Sequence, residues 1–181
     1  MRYITDTGHT TVTLADELDY VKKYLYCMKV RYQSSLNYSI DVDETLLSEE
    51  VPKLLIQPLV EKAIKYGSDC APPWNITIRS VSTDSSWKID IMDSGPGFTE
   101  EACQRIAENL AKADKNPGLP ELRINGLGTI NVYLRWKLFC REEIIFEYGN
   151  TGDGHGMVSI GRYMAQEQNN TVTGSTRKEL S

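Results

Sequence analysis

Residues 86–93 read Ser-Trp-Lys-Ile-Asp-Ile-Met-Asp, a run that alternates between polar and apolar. Side chains on a strand point to opposite faces in turn, so Trp87, Ile89, Ile91 and Asp93 share one face. Three of these are large and apolar, and another layer of structure has to cover them. The row ends on a carboxylate, which is costly to bury unless donors reach it. Gly95 and Gly97 follow in the run Asp-Ser-Gly-Pro-Gly, where the backbone can turn tightly and a ligand can come close. Two readings answer to this pattern: a tight turn with a capping Asp, or a binding site.

Residues 75–81 are a second alternating stretch, joined to 86–93 by a Ser/Thr/Asp turn as an antiparallel hairpin. Residues 36–43 alternate likewise, and 143–149 with 156–163 form a last hairpin around Asn-Thr-Gly-Asp-Gly-His. Between them lie helical patterns. The first starts at Thr13, a capping-box partner for Asp16, and carries a stripe of Leu14, Leu18, Val21, Leu25 and Met28. The stripe reads as a helix packed on its own domain or as a connector or dimer helix, and periodicity alone favours the first. A second helix is expected from about Pro52 to Tyr66, with Pro52 in its first turn and Gly67 at its end. A third covers 99–113 with Thr99 as cap, and a fourth covers 127–139. Residues 114–126 read as a loop rich in Pro, Gly and Asn, and the polar tail from Ala165 reads as disordered. Hairpins with helices between them predict an α+β sandwich, with helices on one face of a mixed sheet.

The net charge of -5 argues against a nucleic-acid partner, since phosphate binding needs a basic surface. No apolar run has the length of a membrane span, and the first residues carry no signal-peptide pattern. Cys27, Cys70, Cys103 and Cys140 are far apart and form no zinc motif. Two disulfides are formally open, but scattered thiols suit a reducing cytosol.

Two more segments carry candidate chemistry. Gly126 and Gly128 precede the fourth helix, whose N-terminal N–H groups could cradle a phosphate; a plain glycine-rich helix start is the other reading. At about 100° per residue, the second helix gathers Ile56, Val60, Ala63 and Ile64 on one side. Leu55, Leu59, Lys62 and Tyr66 fall on another side, with Lys65 nearby, and Glu61 and Lys65 are spaced as an i, i+4 pair. By itself this helix reads as one whose lysines face solvent.

Taken together, the Leu-Val-Glu-Lys-Ala-Ile-Lys-Tyr-Gly helix, the D-x-G-x-G run and the later G-x-G resemble the Bergerat (GHKL) ATP-binding fold of sensor histidine kinases. The leading helix and the boxes at 51–67 and 126–136 are similar to LytS-type sensor kinases of bacterial two-component systems, over about Thr11 to Tyr163. The resemblance implies a two-layer α/β sandwich with a mostly antiparallel sheet and an N-terminal connector helix. It divides the chain into a connector or dimerisation-linker helix at 1–34, an ATP-binding domain at 35–163 with a lid at about 98–125, and a flexible tail at 164–181. It implies that Asp93 accepts the adenine amino group, that Gly95 and Gly97 let the nucleotide lie against the backbone, and that Gly126 and Gly128 lie near the phosphates. Lys65 matches a basic position near the phosphates and Tyr66 an aromatic position at the nucleotide. Asn131 and Arg135 match an N-V-x-x-R pattern, assigned to structure or lid closure.

The sequence departs from the family at several places. The family reads E-N-A in the helix box and its Asn ligates Mg²⁺; here Lys62 replaces it. An ammonium has donors only and cannot ligate a metal, although it can neutralise phosphate charge. Glu61 remains beside the site as a candidate catalytic carboxylate with Lys62. The family's phosphoacceptor histidine belongs to an upstream helix, and neither His9 nor His155 has its motif around it. Met157 and Val158 interrupt a G-T-x-V type pattern, and Thr129 stands where the family often has Leu. The implied function is transfer of the ATP γ-phosphoryl to a histidine outside this chain. The implied partners are the histidine-bearing dimerisation domain of the same parent, a homodimer mate and a response regulator. The parent would be membrane-bound with this part in the cytoplasm, touching no membrane. A nucleotide-binding regulatory module with little kinase activity is the alternative, with Mg²⁺ in doubt. An anti-sigma-factor kinase or a gyrase-like ATPase is a third reading, disfavoured by the leading helix.

Overall fold

The computed structural model describes residues 10–115, 128–141 and 144–164. The expectations for the loop after Lys115, for Gly126, for His9 and for the tail from Ala165 lie outside the described residues.

Thr13 closes a capping box with Asp16 and starts α1 (Leu14–Tyr32), after the short strand β1 (Thr11–Thr13). Leu14, Leu18, Val21 and Leu25 are buried in the main core, so the whole stripe packs on this domain. The chain continues through β2 (Leu36–Asp41), β3 (Glu50–Pro52), α2 (Gln57–Gly67), β4 (Trp74–Ser82) and β5 (Ser86–Asp93). It ends with α3 (Glu100–Lys115), α4 (Gly128–Cys140), β6 (Ile144–Asn150) and β7 (Gly156–Tyr163). The main sheet has the order β2-β4-β5-β7-β6, parallel only between β2 and β4; β1 and β3 form a separate antiparallel pair. This is the expected α+β sandwich.

One face of the sheet carries the core. Ile76, Ile78, Trp87, Ile89, Ile91 and Ile160 are buried beneath the helices, together with Val132 and Trp136 of α4. The indole of Trp136 donates to the Gly161 carbonyl at 2.7 Å, which pins α4 to β7. On the opposite face Asp90 is only 2% exposed, although alternation alone predicts a solvent-facing residue. Ser159 Oγ donates to it at 2.6 Å, and Arg79 and Lys88 pair with it at 3.3 and 3.6 Å. All four cysteines are free. No helix of the described residues is long and apolar enough to cross a membrane.

The second helix corrects the expectation. Pro52 ends β3 rather than opening the helix, and Pro58 occupies the first turn of α2. The intervening residues form a turn because groups distant in sequence satisfy their backbone. Glu17 of α1 is fully buried and accepts the N–H groups of Leu54 (3.1 Å) and Ile56 (2.9 Å). Arg135 of α4 donates to the carbonyls of Lys53 (3.0 Å) and Leu54 (2.7 Å). Leu54 accordingly sits at φ 59°, outside helical geometry. The expected division of helix faces also changes. Leu55 and Leu59 are buried with Ile56 and Val60, because α2 packs on α1, α4, β4 and β5 together. Lys62 and Tyr66 leave that core.

Burial holds the Glu17 carboxyl above its ordinary value of 4.5, while the N–H donors pull it back. A raised folded-state pKa means tighter proton binding in the folded chain than in the unfolded one. Its contribution is therefore full below pH 4.5 and is lost as pH rises through the folded value. Glu17→Gln is expected to remove this decline, read as a smaller drop in denaturation free energy between about pH 4 and 7 than the wild type shows. Glu17→Ala orphans two N–H groups and is expected to cost about 2–4 kcal/mol in the same measurement.

Candidate functional site

Asp93 ends β5 on the core-facing row, where three glycines leave room for it. Gly67 closes α2 beneath it, and a Cβ on that residue would lie 3.5 Å from the Asp93 Cβ. A Cβ on Gly95 would come 2.7 Å from Asp93 Oδ1 and 2.8 Å from the Tyr66 carbonyl. A Cβ on Gly156 would come 2.7 Å from Asp93 Oδ2. Among the described residues the carboxylate accepts one hydrogen bond, from the Gly95 N–H at 2.8 Å. Burial raises its pKa above the ordinary value of 3.8, against the Gly95 N–H and the charge of His155. This acceptor is thus half-buried, short of donors and turned toward an opening.

The opening is a cavity of about 470 Å³, within the range of small-molecule sites. Leu59, Ala63, Ile91, Ile106, Ile130 and Val158 give it apolar walls, and Phe98 and Tyr148 add aromatic ones. Asp93 is the single carboxylate among its described lining residues; Lys62 of α2 and Arg105 of α3 supply the cations. Gly67 and Lys62 are five residues apart on one helix, about 7–8 Å of axis. Asp93 and the lysine therefore stand well separated along the same wall. Lys62 also lies against the start of α4, because a Cβ on Gly128 would sit 3.3 Å from Lys62 Cε. A cation and the positive end of a helix both favour an anion placed between them. Burial, and then the charge of Lys65, depress the Lys62 pKa below its ordinary value.

The sequence candidates divide accordingly. Lys62, Tyr66, Asp93 and Gly97 line the cavity; Gly95 backs Asp93, and Gly128 lies beside Lys62. Glu61 and Lys65 are exposed and outside the lining. Their expected i, i+4 pair does not form: Glu61 accepts from Gln57 Nε2 at 2.6 Å, and the Lys65 ammonium lies 6.0 Å from the Tyr66 ring centroid. Gly126 lies outside the described residues. Thr129 lines the cavity, while Arg135 supports the turn before α2. Arg105, Asn109, Phe98 and Tyr148 are lining residues that the sequence pattern did not single out. Ala102, Ile106 and Asn109 recur at helical spacing on α3, with Arg105 beside them, and that row is the signal that could have found the arginine.

A second depression, between α1 and β2, is lined by Lys22, Lys23, Tyr26, Cys27, Tyr38 and Ile40. It is more open and includes neither a carboxylate nor a glycine turn.

Gly156→Ala forces its new methyl onto the Asp93 carboxylate and is expected to cost about 1–3 kcal/mol in denaturation free energy. Gly149→Ala is the control, since a Cβ there meets nothing within 4 Å. It is expected to be neutral or to stabilise by up to about 1 kcal/mol.

No family model matches the chain. An uncharacterized sensor-like histidine kinase of Staphylococcus epidermidis is 30% identical over 146 residues, 79% of this chain and 28% of that protein. The sensor protein LytS of Oceanobacillus iheyensis is 30% identical over 148 residues, 81% of this chain and 24% of that protein. The chain thus spans about a quarter of the length of these curated relatives. The catalytic domain of the histidine kinase ThkA, solved in a nucleotide-free form, matches with a TM-score of 0.55 at 14% identity, over 86% of this chain and 98% of that one. In sequence the chain is thus similar to sensor histidine kinases, LytS among them, and its fold is that of the ThkA catalytic domain.

Proposed function

We propose that this chain is the ATP-binding part of a sensor histidine kinase, whose γ-phosphoryl goes to a histidine outside the chain. Asp93 is the observation that carries the reading. A half-buried carboxylate with one donor among the described residues has a free acceptor oxygen directed at an apolar cavity. An adenine amino group supplies the missing donor, and the apolar and aromatic walls suit a purine ring. Lys62, Arg105 and the start of α4 then suit the phosphates. On this reading residues 1–34 connect to the histidine-bearing dimerisation domain, 35–163 bind the nucleotide and about 98–125 act as the lid. The partners are that domain, a second copy of the parent and a response regulator, on the cytoplasmic side of a membrane-bound sensor.

The described residues do not build a metal cage, because no three His, Cys, Asp or Glu side chains converge. Glu61 lies outside the cavity, and Lys62 has no lone pair to offer as an ammonium. Mg²⁺ would supply charge neutralisation on the phosphates, and in this chain the cavity cations are arranged to do part of that directly. Lys62 packed against Gly128 favours a second reading: a module that binds nucleotide for regulation and transfers phosphoryl poorly.

Asp93→Asn leaves one acceptor oxygen where Gly95 and the base need two. ATP affinity is expected to fall about tenfold or more with the fold intact, measured by titration calorimetry. Unchanged affinity in the folded variant would overturn the assignment. For Lys62, ATP titration with and without Mg²⁺ is expected to give similar affinities, and strict Mg²⁺ dependence would mean that other groups hold the ion. Autophosphorylation of the full-length parent separates the two readings. Strong gain in Lys62→Asn supports the regulatory module, and loss from a robust wild type makes Lys62 a working substitute.

A further inference from the structure

The turn between β6 and β7 grips the segment that follows Asp93. His155 Nδ1 lies 2.9 Å from the Gly95 carbonyl. A carbonyl oxygen only accepts, so Nδ1 carries the proton in this contact. The N–H of the same Gly95 donates to Asp93 Oδ1 at 2.8 Å. Asn150 holds the next residues from both sides: its Oδ1 accepts from the Phe98 N–H at 2.6 Å, and its Nδ2 donates to the Phe98 carbonyl at 3.0 Å. Between these anchors Gly97 adopts φ 75°, and a Cβ on it would lie 2.5 Å from Asn150 Oδ1 and collide with the Gly154 carbonyl. The turn itself is braced, with Thr151 N–H bonded to the His155 carbonyl at 2.8 Å and His155 N–H bonded to Thr151 Oγ1 at 3.1 Å.

We infer that the β6–β7 turn is a positioning element for base recognition, in which His155 orients Asp93 through Gly95. This inference rests on the adenine reading of Asp93. The Gly95 N–H and carbonyl belong to successive peptide planes joined at the Gly95 Cα. By anchoring the second plane, the His155 bond limits how far the first can turn its N–H, the one donor the described residues give the carboxylate, away from Asp93. The orientation of Asp93 matters most for discrimination. A carboxylate accepts from the amino group of adenine, whereas guanine presents a carbonyl at the equivalent ring position and is repelled. Loosening the carboxylate lowers the first preference without weakening the phosphate contacts of Lys62 and Arg105. His155 is thus a positioning residue that acts from behind the turn, absent from the described lining of the cavity.

The test is titration of the chain with ATP and with GTP for the wild type, His155→Ala and His155→Asn. His155→Ala is expected to lose about three- to tenfold in ATP affinity with little change for GTP, narrowing the ATP-to-GTP ratio. His155→Asn keeps an N–H donor near the Nδ1 position and is expected to restore that ratio. Denaturation curves run alongside establish that each variant is folded. Equal losses for both nucleotides, an unchanged ratio, or no recovery in His155→Asn would overturn the inference. Asp93→Asn in the same titration separates the failures. If it loses ATP affinity while His155→Ala does not, the positioning role falls alone. If it keeps ATP affinity, the adenine reading falls and the inference with it.

Discussion

The turn before α2 is held from both sides, and the site depends on it. Glu17 takes the N–H groups of Leu54 and Ile56, and Arg135 gives its protons to the carbonyls of Lys53 and Leu54. Three helices therefore meet at one short stretch of backbone. A fully buried glutamate is normally expensive, and it is tolerated here because backbone donors surround it. The result is positional. Once α1 and α4 fix the entry of α2, they also fix Lys62 in its second turn and Gly67 at its end. Gly67 borders Asp93, and Lys62 borders Gly128, so one capped turn sets the spacing between the acidic and basic parts of the cavity.

Different elements build the two parts. Around Asp93 the walls are strands and tight turns: β5, β7 and the glycines that pack against the carboxylate leave little freedom. Around Lys62 the walls are helices, including α3 and α4, whose contact with each other is a small satellite cluster of Ala113 and Ile130 with Leu110 and Leu134. Asp114 of α3 adds a polar tie, accepting from Tyr133 Oη and Lys137 Nζ of α4, both at 2.7 Å. Among the described residues the buried cluster between α3 and α4 is small and its polar ties are partly exposed, which marks the docking of α3 as weaker than the packing of the sheet. On the proposed reading, a firm end for the base joined to a more adaptable end for the phosphates would suit a nucleotide that is held by one part and acted on at the other.

Much of this was legible in sequence, for identifiable reasons. Thr13 and Asp16, Thr99, and the alternation of 75–81 and 86–93 are local signals, and local signals specified α1, α3 and the central hairpin. Asp93 stood out because its row was otherwise apolar. Pro52 misled because the apolar spacing of Leu55, Ile56, Leu59 and Val60 continues a helical pattern backwards. The groups that break it, Glu17 and Arg135, are far off in the chain. Asp90 gave no sign either, since its burial depends on Arg79 and Ser159 from the neighbouring strands together with Lys88 of its own. Arg105 belongs to a row readable on α3, but which face of α3 meets the cavity is decided by α4 and the sheet. His155 looked like an ordinary turn residue because its partner, the Gly95 carbonyl, carries no sequence mark at all.

On the proposed reading, Lys62 stands where the resembled family has a metal-binding Asn, and its chemistry differs. A neutral amide oxygen at this place can ligate an ion and so share the phosphate charge with it. An ammonium can only face the phosphates itself. Both lower the electrostatic cost of bringing a triphosphate beside the start of α4, so both are compatible with binding. They would differ during transfer, where a metal would supply charge neutralisation that a point cation on a flexible stem supplies less closely. Burial and then the charge of Lys65 lower the pKa of this half-buried lysine, and an anion beside it would act in the opposite direction. On the proposed reading, Lys62 bears more on whether the cavity takes a triphosphate than on whether phosphoryl is transferred from it.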